Sequence, residues 1–179
     1  STVTTIGASA FAYSKFTGGI TVDNAAVIGK EAFAGVNASA ITLNGAGNIG
    51  ESSFAYATIT GAVSVAGPAT IGQNAFYGLK AESLTLDDEV ANIGEAAFAY
   101  ETINETINVA GSATIGKNAF YGTKATSLTL GGKATTLAET AFGYARITNV
   151  TVDAATISNQ AFFHLFTDNL MFGPDVQTI

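Results

Sequence analysis

Apolar and polar positions alternate along this chain in short bursts, and the bursts recur. Eight units read apolar, polar, apolar: Ile20-Thr21-Val22, Ile41-Thr42-Leu43, Val63-Ser64-Val65, Leu84-Thr85-Leu86, Ile107-Asn108-Val109, Leu128-Thr129-Leu130, Val150-Thr151-Val152 and Leu170-Met171-Phe172. A period of two marks a strand with one buried face, and the frequent β-branched residues suit that conformation. Turn formers follow at once, as in Asp23-Asn24, Asn44-Gly45, Gly67-Pro68, Asp87-Asp88 and Gly131-Gly132.

A second block alternates with the first. Ile-Gly-x-x-Ala-Phe stands at Ile28–Phe33, Ile71–Phe76, Ile93–Phe98 and Ile115–Phe120, with near-copies at Ile6–Phe11, Ile49–Phe54, Leu137–Phe142 and Ile157–Phe162. Its phenylalanines fall at 11, 33, 54, 76, 98, 120, 142 and 162, steps of 22, 21, 22, 22, 22, 22 and 20 by subtraction. A fixed period in this range predicts a solenoid, in which each coil stacks only on its neighbours. The expected architecture is a single β-rich solenoid over residues 1–179, of about eight coils of 20–23 residues. A parallel sheet forms one face, and short helical turns or short strands form the other. The segments Lys30–Ala34 and Glu95–Ala99 read first as one helical or 3₁₀ turn, and second as another strand. A turn that short is held only by the stack, with each Phe packed on the Phe of the next coil.

A longer period overlies the first. Phe-Ala-Tyr at 11–13, 54–56 and 98–100, with Phe142-Gly143-Tyr144, alternates with Phe-Tyr-Gly-x-Lys at 76–80 and 120–124. The larger unit is therefore about 44 residues, from Phe76 to Phe120, and surface features recur on every second coil.

Composition narrows the classes. The chain has 179 residues, enough for one substantial core, and a hydrophobic share of 47% that recurs periodically, which excludes disorder. A net charge of -7 argues against nucleic acid and against an anionic membrane surface. Without cysteine there is no disulfide and no thiolate metal site. No apolar run approaches the ~18 residues of a membrane helix, so no membrane insertion is expected. Ser1-Thr2-Val3-Thr4-Thr5 is not a signal peptide, so an exported chain has had its signal removed.

The pattern apolar-x-x-Leu-x-Leu leading into Ile-Gly-x-x-Ala-Phe resembles the BspA-type leucine-rich repeat. Its closest copies are Ala81–Leu86 with Ile93–Phe98, and Ala125–Leu130. The resemblance covers about residues 5 to 179. Two departures stand out. Cys often follows Phe in that family, where Gly35, Tyr56, Gly78, Tyr100, Gly122 or Tyr144 stands here. Pro usually follows its strand, where Gly, Asp or Asn mostly stands here. The resemblance implies a curved right-handed solenoid, bacterial export to the cell surface, and adhesion to a protein or glycan partner without catalysis.

Two columns are the candidate binding surfaces. The strand midpoints Thr21, Thr42, Ser64, Thr85, Asn108, Thr129 and Thr151 form a polar ladder on the outer sheet face. They read either as ordinary solvated strand residues or as a binding face; an ice-binding face is disfavoured by the Asn and Met171 interruptions. Tyr13, Tyr56, Tyr100 and Tyr144 recur two residues after Phe in alternate coils, with Tyr77 and Tyr121 between them. They read either as rings lying flat over the next coil or as exposed anchors for a partner.

No catalytic constellation and no cofactor or metal motif emerges. Asp87-Asp88-Glu89 is the only acidic run, and it reads as a solvated turn rather than a calcium loop. His164 has no partner motif and reads as structural. The acceptor-like triplets at Asn37, Asn104 and Asn149 are ascribed to chance in so Asn-, Ser- and Thr-rich a chain. The chain stops at Ile179, where the next Ile-Gly block falls due, and neither end carries a polar cap. The first expectation is therefore a fragment of a longer array. The alternative is a complete chain that adds to itself end to end in an extracellular fibre or layer.

Overall fold

A computed structural model describes residues 3–24, 27–111 and 114–179, apart from the side chains of 132–135. The chain winds into a parallel β-solenoid with three ladders of strands. The middle ladder is built from the alternating units: Ile20–Asp23, Ile41–Asn44, Ala62–Ala66, Ser83–Leu86, Thr106–Val109, the central parts of Lys124–Leu137 and Arg146–Ile157, and Asn169–Phe172. All neighbours in it are parallel and in register, from Ile20 opposite Ile41 to Val150 opposite Leu170. Seven steps separate its first strand from its eighth, close to the expected coil count.

The other two ladders are narrower. One carries the isoleucine of each Ile-Gly block, in Thr5–Ile6, Val27–Ile28, Asn48–Ile49, Thr70–Ile71, Asn92–Ile93 and Thr114–Ile115. The other follows the Phe segment, in Asn37–Ala38, Thr58–Ile59, Lys80–Ala81 and Thr102–Ile103. In the last coils the separate strands merge into Lys124–Leu137 and Arg146–Ile157. Their pairing shifts between Leu130, opposite Val152, and Ala134, opposite Ala154. Four residues advance on one strand and two on the other, which absorbs the shorter final step of 20 residues.

The expected helical turn does not form; among the described residues there is no helix. Each Phe segment is a run of chained tight turns. In the second coil Ala32, Ala34 and Val36 donate to the carbonyls of Gly29, Glu31 and Phe33, three residues back. The N–H groups between them turn outward along the stack, Glu31 to Glu51, Phe33 to Ser53 and Gly35 to Ala55. A helix would point every N–H along its own axis, and here half of them bond the next coil. The backbone achieves this with φ of +56° at Glu31 and +65° at Gly35, a pattern of left-handed residues repeated in every coil.

The core is one continuous column system. Phe33, Phe54, Phe76, Phe98, Phe120 and Phe142 are buried, and their rings stack almost parallel at centroid spacings of 4.9–5.1 Å. That spacing follows from the strand separation, since each ring rides on its own coil. The expected burial of the whole columns fails at the ends. Phe11 is 43% exposed and Leu170 41%, and Ile6 is only partly covered. Each lies in an end coil, with a neighbour on one side only.

Candidate binding surfaces

The strand-midpoint column is assembled as the spacing predicts. Thr21, Thr42, Ser64, Thr85, Asn108, Thr129, Thr151 and Met171 sit opposite one another through successive parallel pairs. Their flanking residues point inward and are buried from Ile20 to Val152, so the midpoints face out. Hydroxyls dominate this face.

The tyrosines form a second surface along the edge after the Phe stack. Tyr13, Tyr56, Tyr100 and Tyr144 are 81%, 67%, 55% and 44% exposed. They nevertheless lie over their neighbours. A Cβ built on Gly35, Gly78 or Gly122 would sit 2.6, 2.9 or 2.9 Å from Cδ1 of the tyrosine one coil before. Each ring therefore covers part of the next coil with one face, and the rest meets solvent. All four tyrosines have φ between +55° and +60°, and the intervening Gly35, Gly78 and Gly122 have +65° to +67°, so the position is left-handed in every coil.

Tyr77 and Tyr121, which the four-membered column omits, complete the ridge. Tyr56, Tyr77, Tyr100, Tyr121 and Tyr144 meet edge to face or tilted at centroid distances of 5.3–5.6 Å. Desolvation, then the flanking phenols Tyr56 and Tyr100, raises the Tyr77 phenol above its ordinary value; Tyr121 is raised in the same way beside Tyr100 and Tyr144. The ridge ends at Phe163 and His164, with the imidazole stacked on Tyr144 at 5.0 Å and edge-on to Phe163 at 4.3 Å. His164 thus continues the tyrosine column and has no carboxylate beside it among the described contacts.

Other polar groups have local duties. Asp87 accepts from the backbone N–H of Gly67 at 2.8 Å and of Glu89 at 3.0 Å, so its carboxylate ties two coils together at the turn. Among the described residues no cluster of acidic or histidine side chains is arranged to hold a metal ion. Lys30 and Lys117 pair with Glu51 and Glu139 on the exposed surface. Glu101 departs from all expectation. It is fully buried in a column shared with Leu79 and Thr123, and Oε2 has no partner.

Several open cavities lie on the surface of the described residues. One, about 570 Å³, opens at the first coil and is lined by Val3, Ile6, Phe11, Phe16 and Ile20 among others. A notch of about 150 Å³ lies between Tyr56 and Tyr77, with Ser52 and Asn74 on its rim. A third, about 280 Å³, lies between Arg146, Phe166 and Asp168.

No curated protein and no solved structure matches the chain. The sequence pattern of the BspA type leucine rich repeat region does match, in six copies over residues 1–104 and 69–179. With that match spanning the coils just described, the chain belongs to the BspA-type leucine-rich repeat family.

Proposed function

We propose that this chain is a non-enzymatic binding module on the outside of a bacterial cell, recognising a protein or glycan partner through its repeated surface. The observation that carries the reading is the pair of exposed columns, strand midpoints and tyrosines, each set in register coil after coil. Such columns present one chemistry many times, which suits an extended partner better than a small substrate. BspA-type repeats are a surface- and adhesion-associated family, typically bacterial, and leucine-rich solenoids generally act as non-enzymatic binding scaffolds. Pull-down against host matrix proteins and a glycan array tests the proposal. Retention of a partner, weakened by substitutions in one column, supports it. Turnover of a hydrolase or transferase substrate, lost on replacing a single carboxylate or His164, overturns it.

A second reading rests on the end faces. Leu170, Met171 and Phe172 on the last strand are 41%, 62% and 46% exposed, and the cavity at the first coil is lined mostly by apolar residues, with Thr21, Asp23 and Asn24 also on it. These faces fit a further coil, supplied by flanking sequence or by a second copy. Light scattering separates the two. Growth with concentration, abolished by Ile179→Lys, supports end-to-end assembly; a monomer at all concentrations, unchanged by that substitution, excludes it.

A further inference from the structure

The third ladder carries an uneven distribution of charge. Its first position runs, in register, Lys15, Asn37, Thr58, Lys80, Thr102, Lys124, Arg146, Phe166. The chain has only 7 lysines and arginines. Lys30 and Lys117 are neutralised by Glu51 and Glu139, and the side chain of Lys133 lies outside the described residues. Every remaining cation therefore falls in this one column, and none has a carboxylate partner among the described residues. All four are exposed.

The column runs directly beside the tyrosine ridge. Lys80, Lys124 and Arg146 follow Tyr77, Tyr121 and Tyr144 by two or three residues, with one buried position between: Leu79, Thr123 and Ala145. Lys124 and Arg146 are adjacent rungs, and Lys80 lies two rungs from Lys124, so the charges recur at roughly 5 and 10 Å. On the ridge's other flank stand uncharged hydrogen-bonding groups, Ser52, Asn74, Asn118 and Thr140, with Thr140 donating to Asn118 at 2.6 Å. Glu31, in the same column as Ser52, and Glu95 are acidic groups on that flank without a salt bridge among the described residues.

We propose that this edge, rather than the hydroxyl face of the middle ladder, binds an anionic polysaccharide. The inference rests on the binding-module reading above and names its ligand class and site. Phenol rings offer flat apolar faces to sugar rings, while amides and hydroxyls bond sugar hydroxyls. A row of cations without carboxylate partners among the described residues, Arg146 among them with its guanidinium 4.8 Å over the Phe166 ring, supplies on a protein of net charge -7 the complement to carboxylate or sulfate groups repeated along a chain. A nucleic acid also combines anions with flat rings. The net charge of -7 opposes either polyanion alike; the amide and hydroxyl flank, matched to sugar hydroxyls, favours the polysaccharide, and oligo-dT is the comparison that tests the choice.

The chain has 6 tyrosines and no tryptophan, so its intrinsic fluorescence reports on the ridge itself. Polygalacturonate, with neutral amylose and single-stranded oligo-dT as comparisons, is titrated against the purified protein. The expected result is tyrosine quenching by polygalacturonate that weakens with salt, with little response to the other two. Replacing Lys80, Lys124 and Arg146 by Ala lowers the affinity about tenfold or more. Tyr100→Ala with Tyr121→Ala does the same, and melting curves confirm that each variant is folded. Thr85→Ala with Thr129→Ala leaves binding unchanged. Equal binding of oligo-dT, insensitivity to the ridge and cation variants, or no response to polygalacturonate or to dextran sulfate overturns the proposal. A partner retained in pull-down and lost with the Thr85 and Thr129 changes would overturn it while leaving the binding-module function standing.

Discussion

The ring of Tyr56 closes over Gly78, so near that a Cβ on Gly78 would lie 2.9 Å from Tyr56 Cδ1. This contact explains the two-coil period. Tyr13, Tyr56 and Tyr100 lie so close over Gly35, Gly78 and Gly122 that no side chain fits there, whereas Tyr144 stacks with His164 at the same position of the last coil. In the coil after Tyr56 the tyrosine stands one residue earlier, at Tyr77, and the pair repeats as Tyr100 over Gly122. Gly78→Ala adds a left-handed cost to the steric one, since φ is +67°. The expected loss in urea unfolding is about 2 kcal/mol or more. In a Tyr56→Ala background the same change should cost about 1 kcal/mol, the backbone share alone. A double-mutant cycle without coupling between the two positions would contradict this explanation.

The phenylalanine stack predicts a graded response along the coils. Phe98 is buried between Phe76 at 4.9 Å and Phe120 at 5.1 Å. Phe98→Ala should cost about 3–5 kcal/mol. Phe11 contacts Phe33 at 5.2 Å but is 43% exposed. Phe11→Ala should cost about 1 kcal/mol. Equal costs at the two sites, by denaturant melts, would mean that stacking position does not set the energy.

The strand units and the phenylalanine column were legible because each depends on a local period that survives in any coil. The Phe turn was misread for a physical reason. Lys30-Glu31-Ala32 is locally helix-favouring, but the decisive hydrogen bonds run to Glu51 and Ser53 in the next coil. The cation column was hidden because Lys15, Lys80 and Lys124 meet only through the ladder register. Glu101 carries its own signal in the sequence. Aligning the coils on Phe places it among Val36, Ala57, Leu79 and Ala145, apolar and buried, with Thr123 the other buried polar member.

Ser53 occupies the position that Ala32, Ala75, Ala97, Ala119 and Ala141 take in other coils, and it is equally buried. Its hydroxyl has no hydrogen-bond partner. Alanine there removes an unsatisfied group without opening a cavity larger than one oxygen. Ser53→Ala should stabilise the fold by up to about 1 kcal/mol, read as a rise in melting temperature. A fall instead would show that the hydroxyl is bonded in solution.

Glu101 makes the fold sensitive to pH in a defined direction. Burial pushes its carboxyl well above the usual range, opposed only by the Thr123 hydroxyl 3.5 Å from Oε1. That hydroxyl also bonds the Phe98 carbonyl at 3.2 Å, and it has one proton to give. A protonated Glu101 resolves the competition: the acid donates to Thr123, and Thr123 donates to Phe98. With the folded pKa raised, the folded state holds a proton that the unfolded chain releases above about pH 4.3. The contribution is fully present below that pH and is lost as pH rises through the folded pKa. Glu101→Gln keeps the shape and the donor but cannot ionise, so its stability should be flat over the same window. Glu101→Leu, matching Leu79 one coil before, should stabilise at neutral pH. Denaturant midpoints of the three proteins from pH 4 to 8 check this. Parallel curves for the parent and Glu101→Gln would show that Glu101 does not change its protonation on folding.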